Sequence, residues 1–183
     1  MEPIIGRLLV ATPTLLDPNF ERSVVLICQQ TDDGALGVIL NRPLDAELAD
    51  HLPEWQHLAS RPPRIFEGGP VQREVAVALG RHDPGADGAG WTEVTAELGL
   101  LDLDREPADL WGELRALRIF SGYAGWSAEQ LAGEIEEHAW FLVDAAPADP
   151  FSEQPERLWE QVLRRQNGPL SMYATFPPDP GLN

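Results

Sequence analysis

Arg22 ends the segment Asp17-Pro18-Asn19-Phe20-Glu21 and opens an apolar run. A guanidinium in that position can fork onto a carboxylate or a phosphate. Paired with Asp17 instead, it would form an ordinary ion pair. Asn41-Arg42-Pro43 closes the next run, where an asparagine commonly caps a turn. Gly68-Gly69-Pro70 is a two-glycine turn without the spacing or the following helix of a dinucleotide fingerprint. It serves either the turn itself or a close approach of backbone to a ligand. Gly122-Tyr123-Ala124-Gly125-Trp126 precedes Ser127-Ala128-Glu129-Gln130, a capping-box pattern. A turn there, feeding a capped helix, would expose backbone amides that favour an anion. Tyr123 and Trp126 could then cover a flat ligand, or serve as core. Asp17, Arg22, Asn41, Gly68, Gly69, Gly122, Tyr123 and Trp126 are therefore the candidate ligand-binding residues. If their turns converge, they suit a small anionic ligand.

Much other chemistry is excluded. The chain of 183 residues has one cysteine and no lysine. One cysteine rules out an intramolecular disulfide and any multi-cysteine metal site. Cys28 lies in the run Ser23-Val-Val-Leu-Ile-Cys28 and reads as a small buried hydrophobe, with no adjacent His or Lys to activate it. Without lysine there is no Walker-A lysine, Schiff base or lysine general base. His51 and His57 are not at a helical ligand spacing. Glu134 and His138 are, but no third ligand accompanies them, so they read as a solvated pair. No metal or cofactor is expected. Ser23, Ser121 and Ser127 lack a nucleophile-elbow context.

Thirty acidic residues against thirteen arginines give a net charge of −17. Nucleic-acid affinity comes largely from basic side chains on phosphates, so direct DNA or RNA binding is not expected. The acidic surface favours basic partners. Nothing in MEPIIGRLLV resembles a secretion leader, and no stretch approaches the ~18 apolar residues of a membrane span. The expected location is the cytoplasm.

The elements that would position these residues follow from patterning. Strands are expected at residues 7–11, 23–29 and 35–41. Thr31-Asp32-Asp33-Gly34 should turn the last two into a hairpin, through the positive φ that Asp-Gly supplies. Asp45 to Leu52 suits a short helix capped by Asp45. Strands are expected from Ile65 and over Val71 to Leu79, with one or two more in residues 91–103. Residues 81–90 read as a loop inside one domain. A short helix is expected over 107–114, a strand over 117–121, a helix from Ser127 to about 137 and a strand over 139–144. Residues 151–166 hold an amphipathic helix with Leu158, Trp159, Val162 and Leu163 on one face. A single domain over residues 1–176 with a frayed tail over 177–183 completes the reading. Hairpins mixed with helices, without regular βαβ alternation, argue α+β with a mixed, largely antiparallel sheet.

Several segments together resemble the AlgH/YqgE family of bacterial proteins. They are Gly6-Arg-Leu-Leu-Val-Ala-Thr-Pro13, Leu16-Asp-Pro-Asn-Phe-Glu-Arg-Ser-Val-Val-Leu26, Gly34-Ala-Leu-Gly-Val-Ile-Leu-Asn41, Gly68-Gly-Pro-Val71, and Gly122-Tyr-Ala-Gly-Trp126 with Gln130-Leu131. The resemblance spans residue 4 to about 165. It implies a sheet partly rolled into a pseudo-barrel, flanked by short helices, in a bacterial cytoplasmic protein. Some members are named as transcriptional regulators. The resemblance brings no reaction, cofactor or catalytic residue. Members often carry a histidine after the second strand, where this chain has Gln29-Gln30. Two functions are compatible with all of this. One is a regulatory protein acting through an unknown protein partner without touching DNA. The other is a binder of, or enzyme acting on, a small anionic ligand.

Overall fold

The computed structural model describes residues 3–83, 90–110 and 112–177. Ten strands are present among them: β1 (Arg7–Ala11), β2 (Val24–Thr31), β3 (Gly34–Ile39), β4 (Pro43–Glu47), β5 (Arg64–Glu67), β6 (Val71–His82), β7 (Trp91–Glu93), β8 (Leu98–Leu101), β9 (Leu114–Ser127) and β10 (Trp140–Asp144). Four α-helical segments accompany them: α1 (Leu48–His51), α2 (Ala128–Glu136), α3 (Leu158–Arg164) and α4 (Leu170–Tyr173). The strands run in the order β10-β1-β2-β3-β9-β6-β8-β7, with β4 paired to β5. Every ladder is antiparallel except β5 on β9. The result is an α+β fold, a mostly antiparallel sheet curled into a half-barrel with a few short helices. No helix among the described residues is long and apolar enough to cross a membrane.

The continuous apolar runs of β1 to β3 are explained by burial on both faces. Leu8, Val10, Val24, Leu26, Val38 and Leu40 share one core with Trp159, Val162 and Leu163 of α3. The alternate residues Leu9, Val25, Ile27 and Ile39 pack with Leu131 of α2 and with Trp126 and Trp140. A third cluster joins Leu117 and Ile119 of β9 to Leu48 and Trp55. The four apolar positions expected on the last long helix are all buried. Cys28 sits at a register shift between Ile27 and Gln29, 5% exposed, and burial pushes its thiol up to about 12.

The structure departs from the sequence reading at four places. The β2–β3 hairpin forms with a two-residue turn, but none of residues 31–34 has positive φ. Gly34 is required for another reason: a Cβ there would fall 2.0 Å from the Trp126 carbonyl oxygen on the neighbouring strand β9. The helix expected over 45–52 is half strand. β4 runs to Glu47, and α1 begins without a side-chain cap, because β5 offers Pro43 and Glu47 a ladder. Of the helix expected over 107–114, Pro107–Leu110 form a short 3₁₀ turn, and β9 already starts at Leu114.

The fourth departure concerns residues 122–126, which form no turn. They belong to the fourteen-residue β9. The early part of β9 lies between β6 and the parallel β5, and its last four residues pair with β3. Ladders that include β9 therefore join strands from both sides of the loop expected at 81–90, of which residues 84–89 lie outside the described residues. Residues 178–183 of the expected frayed tail also lie outside them.

Candidate functional site

Three stretches of backbone cross where β9 changes partners. The Gly68 amide donates to the Ser121 carbonyl at 2.9 Å, and the Ile39 amide donates to the Gly68 carbonyl at 2.9 Å. A Cβ on Gly68 would lie 2.1 Å from the Gly122 carbonyl oxygen, and one on Gly69 would lie 2.3 Å from the Tyr123 carbonyl. Gly122 has φ +70, and its Cβ would meet the Val71 and Gly69 carbonyl oxygens at 2.7 and 2.8 Å. These glycines stand where chains touch and β9 bends, a common use of glycine inside a curled sheet.

Opposite the bend, β6 bulges. Val71 pairs with Tyr123 and Ala76 with Ser121, so residues 72–75 swing out of the ladder. Gln72 takes φ 46, a left-handed conformation that costs an ordinary residue about 1–2 kcal/mol. The Ser121 hydroxyl donates to the Arg73 carbonyl, and Arg73 pairs with Glu67 at 3.0 Å. Bulges and strained residues of this kind gather at functional sites.

The bulge forms one side of an open groove of about 440 Å³, a volume suited to a ligand or a partner's side chains. Leu44, Leu52, Ile65, Val75 and Ile119 make its lining largely apolar. His51, Arg73, Glu74 and Ser121 supply its polar groups. On the side of β6 away from β9, pairing with β8 begins only at Ala78. Val71 to Ala76 are exposed and have no strand partner on that edge among the described residues. An apolar groove therefore adjoins a free strand edge.

The eight residues singled out from sequence divide into groups. Gly68, Gly69, Gly122 and Tyr123 meet at the crossing. Asn41 and Arg22 meet nearby. The Asn41 side chain donates to the Arg22 carbonyl at 2.9 Å and accepts from the Val24 amide at 2.9 Å, tying the loop to two strands. The Arg22 guanidinium lies 3.9 Å over the Trp159 ring and donates to the Phe176 and Pro177 carbonyls. It thus fastens the C-terminal segment, and burial lowers its pKa. Asp17 instead accepts from the Asn19 amide at 2.8 Å, and no ion pair joins it to Arg22. Tyr123 packs against the core of α3, whereas Trp126 belongs to the opposite core. In a strand, residues three apart point to opposite faces, so these two rings cannot cover one ligand. The helix N-terminus lies at Ala128, where Ser127 accepts from the Gln130 amide at 3.1 Å as expected.

None of the eight lines the groove, although the Gly122 position abuts Arg73. The signal for the groove was the polar stretch Gln72-Arg73-Glu74, which interrupts the apolar pattern of β6. Two other charged residues have unexpected surroundings. Glu134 does not form a solvated pair with His138: one of its oxygens accepts from Trp126 at 2.9 Å and Trp140 at 2.8 Å, the other from Gln130 at 2.8 Å. Arg118 is 2% exposed, lies 4.1 Å over Phe66 and donates to the Arg61 and Ser152 carbonyls at 2.7 and 3.2 Å. Its burial pushes the guanidinium pKa down to about 10. A charged residue within an apolar strand reads as solvent-facing, so its stapling role was not visible in the sequence. Among the described residues no group of three or more His, Cys, Asp or Glu could hold a metal ion.

The AlgH-like family model matches residues 8–171. A UPF0301 protein of Streptomyces coelicolor is 49% identical over 184 residues, covering 98% of this chain and 95% of the relative. A UPF0301 protein of Thermobifida fusca is 47% identical over 189 residues, covering 98% and 96%. The crystal structure of a Corynebacterium diphtheriae protein superposes with a TM-score of 0.91 at 32% identity, covering 96% of this chain and 94% of that one. The solution structure of the AlgH protein from Pseudomonas aeruginosa gives a TM-score of 0.71 at 30% identity, covering 96% and 95%. With its glycine crossing and half-barrel, the chain belongs to the AlgH-like family, a group of bacterial UPF0301 proteins whose biochemical function is unknown.

Proposed function

We propose that this chain is a cytoplasmic regulatory protein that acts through protein contacts and without direct DNA binding, holding an extended segment of its partner at the β6 groove. The observation that carries this reading is the meeting of an apolar groove with an exposed, unladdered strand edge. An edge supplies main-chain hydrogen bonds to an added strand, and a pocket beside it selects the side chain. The charge of −17 supports indirect regulation, since it opposes phosphate contacts.

The test is a photo-crosslinking amino acid placed at Val75 in the bacterium that makes the protein. Met172 of α4, at 71% exposure, is the control position. The expected result is one dominant protein adduct from Val75 and none from Met172. It should re-form with the purified partner and disappear when Leu44→Asp charges the groove. Equal labelling from both positions would overturn the reading. So would tight, sequence-specific gel shifts at physiological salt. A small acid that co-purifies in the groove by native mass spectrometry, lost in Leu44→Asp, would replace the partner with a small anionic ligand.

A further inference from the structure

The groove's charges are unequal. Arg73 is matched by Glu67 at 3.0 Å. Glu74 also lines the groove, is exposed, and has no ion pair or hydrogen bond among the described residues. Next to the lining His51 and Leu52 along the chain, Asp50 of α1 and Glu54 of the following turn are exposed, outside the lining itself. Asp45 and Glu47, which alternate with the lining Leu44 and Ala46 on β4, face away from the groove and pair with Arg64 at 3.1 and 2.9 Å. An apolar seat therefore lies beside an unmatched carboxylate, in a protein of net charge −17.

We infer that the groove takes an extended segment of a partner protein in which a bulky apolar side chain stands between basic residues. The inference rests on the groove being a protein-contact site and adds the chemistry of the occupant. The apolar side chain is seated among Leu44, Ile65, Val75 and Ile119. The segment's backbone runs along the free edge of β6, and a neighbouring Lys or Arg reaches Glu74. Charge complementarity of this kind sets partner choice and association rate more than raw affinity. An acidic segment would face Glu74, and Arg73, the guanidinium that lines the groove, is already paired with Glu67.

Three fluorescent heptapeptides with a central Val-Phe-Val test this, the core flanked on each side by two Arg, two Ser or two Glu, with binding read by anisotropy on the full chain. The Arg-flanked peptide should bind most tightly, by about fivefold or more over the Glu-flanked one at low salt, as expected for one or two exposed charge pairs. The difference should shrink at high salt. Glu74→Lys should reverse the order, and Val75→Asp should abolish binding of all three. Equal affinities that still vanish in Val75→Asp would overturn the charge assignment and leave the groove as a contact site. Binding indifferent to Val75→Asp, or no binding by any peptide, would overturn the groove reading as well.

Discussion

Replacing Gly122 by alanine adds one methyl group where three backbones meet. Two costs follow. Gly122 has φ +70, and a left-handed conformation costs a non-glycine residue about 1–2 kcal/mol. The new Cβ would also lie 2.7 and 2.8 Å from two carbonyl oxygens. Both belong to backbone held by neighbouring strands, so relief means parting β6 from β9, and overpacking of this type costs about 1–3 kcal/mol. The sum is about 2–5 kcal/mol. Two other glycines give the comparison. Gly125, on the same strand, would bring its Cβ 3.2 Å from the tip of Leu36 and 3.9 Å from the Tyr123 ring, both side chains, and Gly125→Ala should change stability by no more than about 0.5–1 kcal/mol. Gly133 lies inside α2 with nothing within 4 Å, so Gly133→Ala should stabilise by about 0.5–1 kcal/mol through helix propensity. Urea unfolding followed by tryptophan fluorescence measures all three, with an unchanged slope required for comparison. If Gly122→Ala costs no more than Gly125→Ala, the backbones do not cross as described, and residues 122–126 regain their reading as a surface turn.

Cys28 should resist thiol reagents in the native protein at pH 8 and react only on unfolding. Because its folded pKa of about 12 exceeds the ordinary 9.0, stability should fall as pH rises between those values. At pH 10 the loss should be about 1.4 kcal/mol, one pKa unit, and Cys28→Ala should remove it; equal pH slopes for the two proteins would contradict the burial. Glu134→Leu leaves two indole N–H groups without their acceptor and should cost about 2–4 kcal/mol, with a shifted tryptophan emission; an unaltered spectrum would argue against the bonds. Arg22→Ala should free the C-terminal segment, so limited chymotrypsin digestion after Tyr173 should accelerate while the remaining core stays folded, and an unchanged rate would show that the Arg22 contacts do not hold that segment.

The sequence by itself determined the α+β class, because burial on both faces demands the unbroken apolar runs of β1 to β3 and one-sided burial the spacing on α3. It also determined the family, through glycine and aromatic segments set in one order along the chain. Ser127 was legible as a cap because its bond to Gln130 spans three residues. Only the tertiary structure decided what the glycines at 34, 68, 69 and 122 do, since each answers to backbone distant in sequence. The same holds for Arg22, held by residues 176 and 177, and for the groove, whose walls come from β4, α1, β5, β6 and β9. Local pattern reports what a segment does with its neighbours and with water. Close contacts between distant segments leave no periodicity to read, because the reason for each residue lies in atoms that only folding brings beside it.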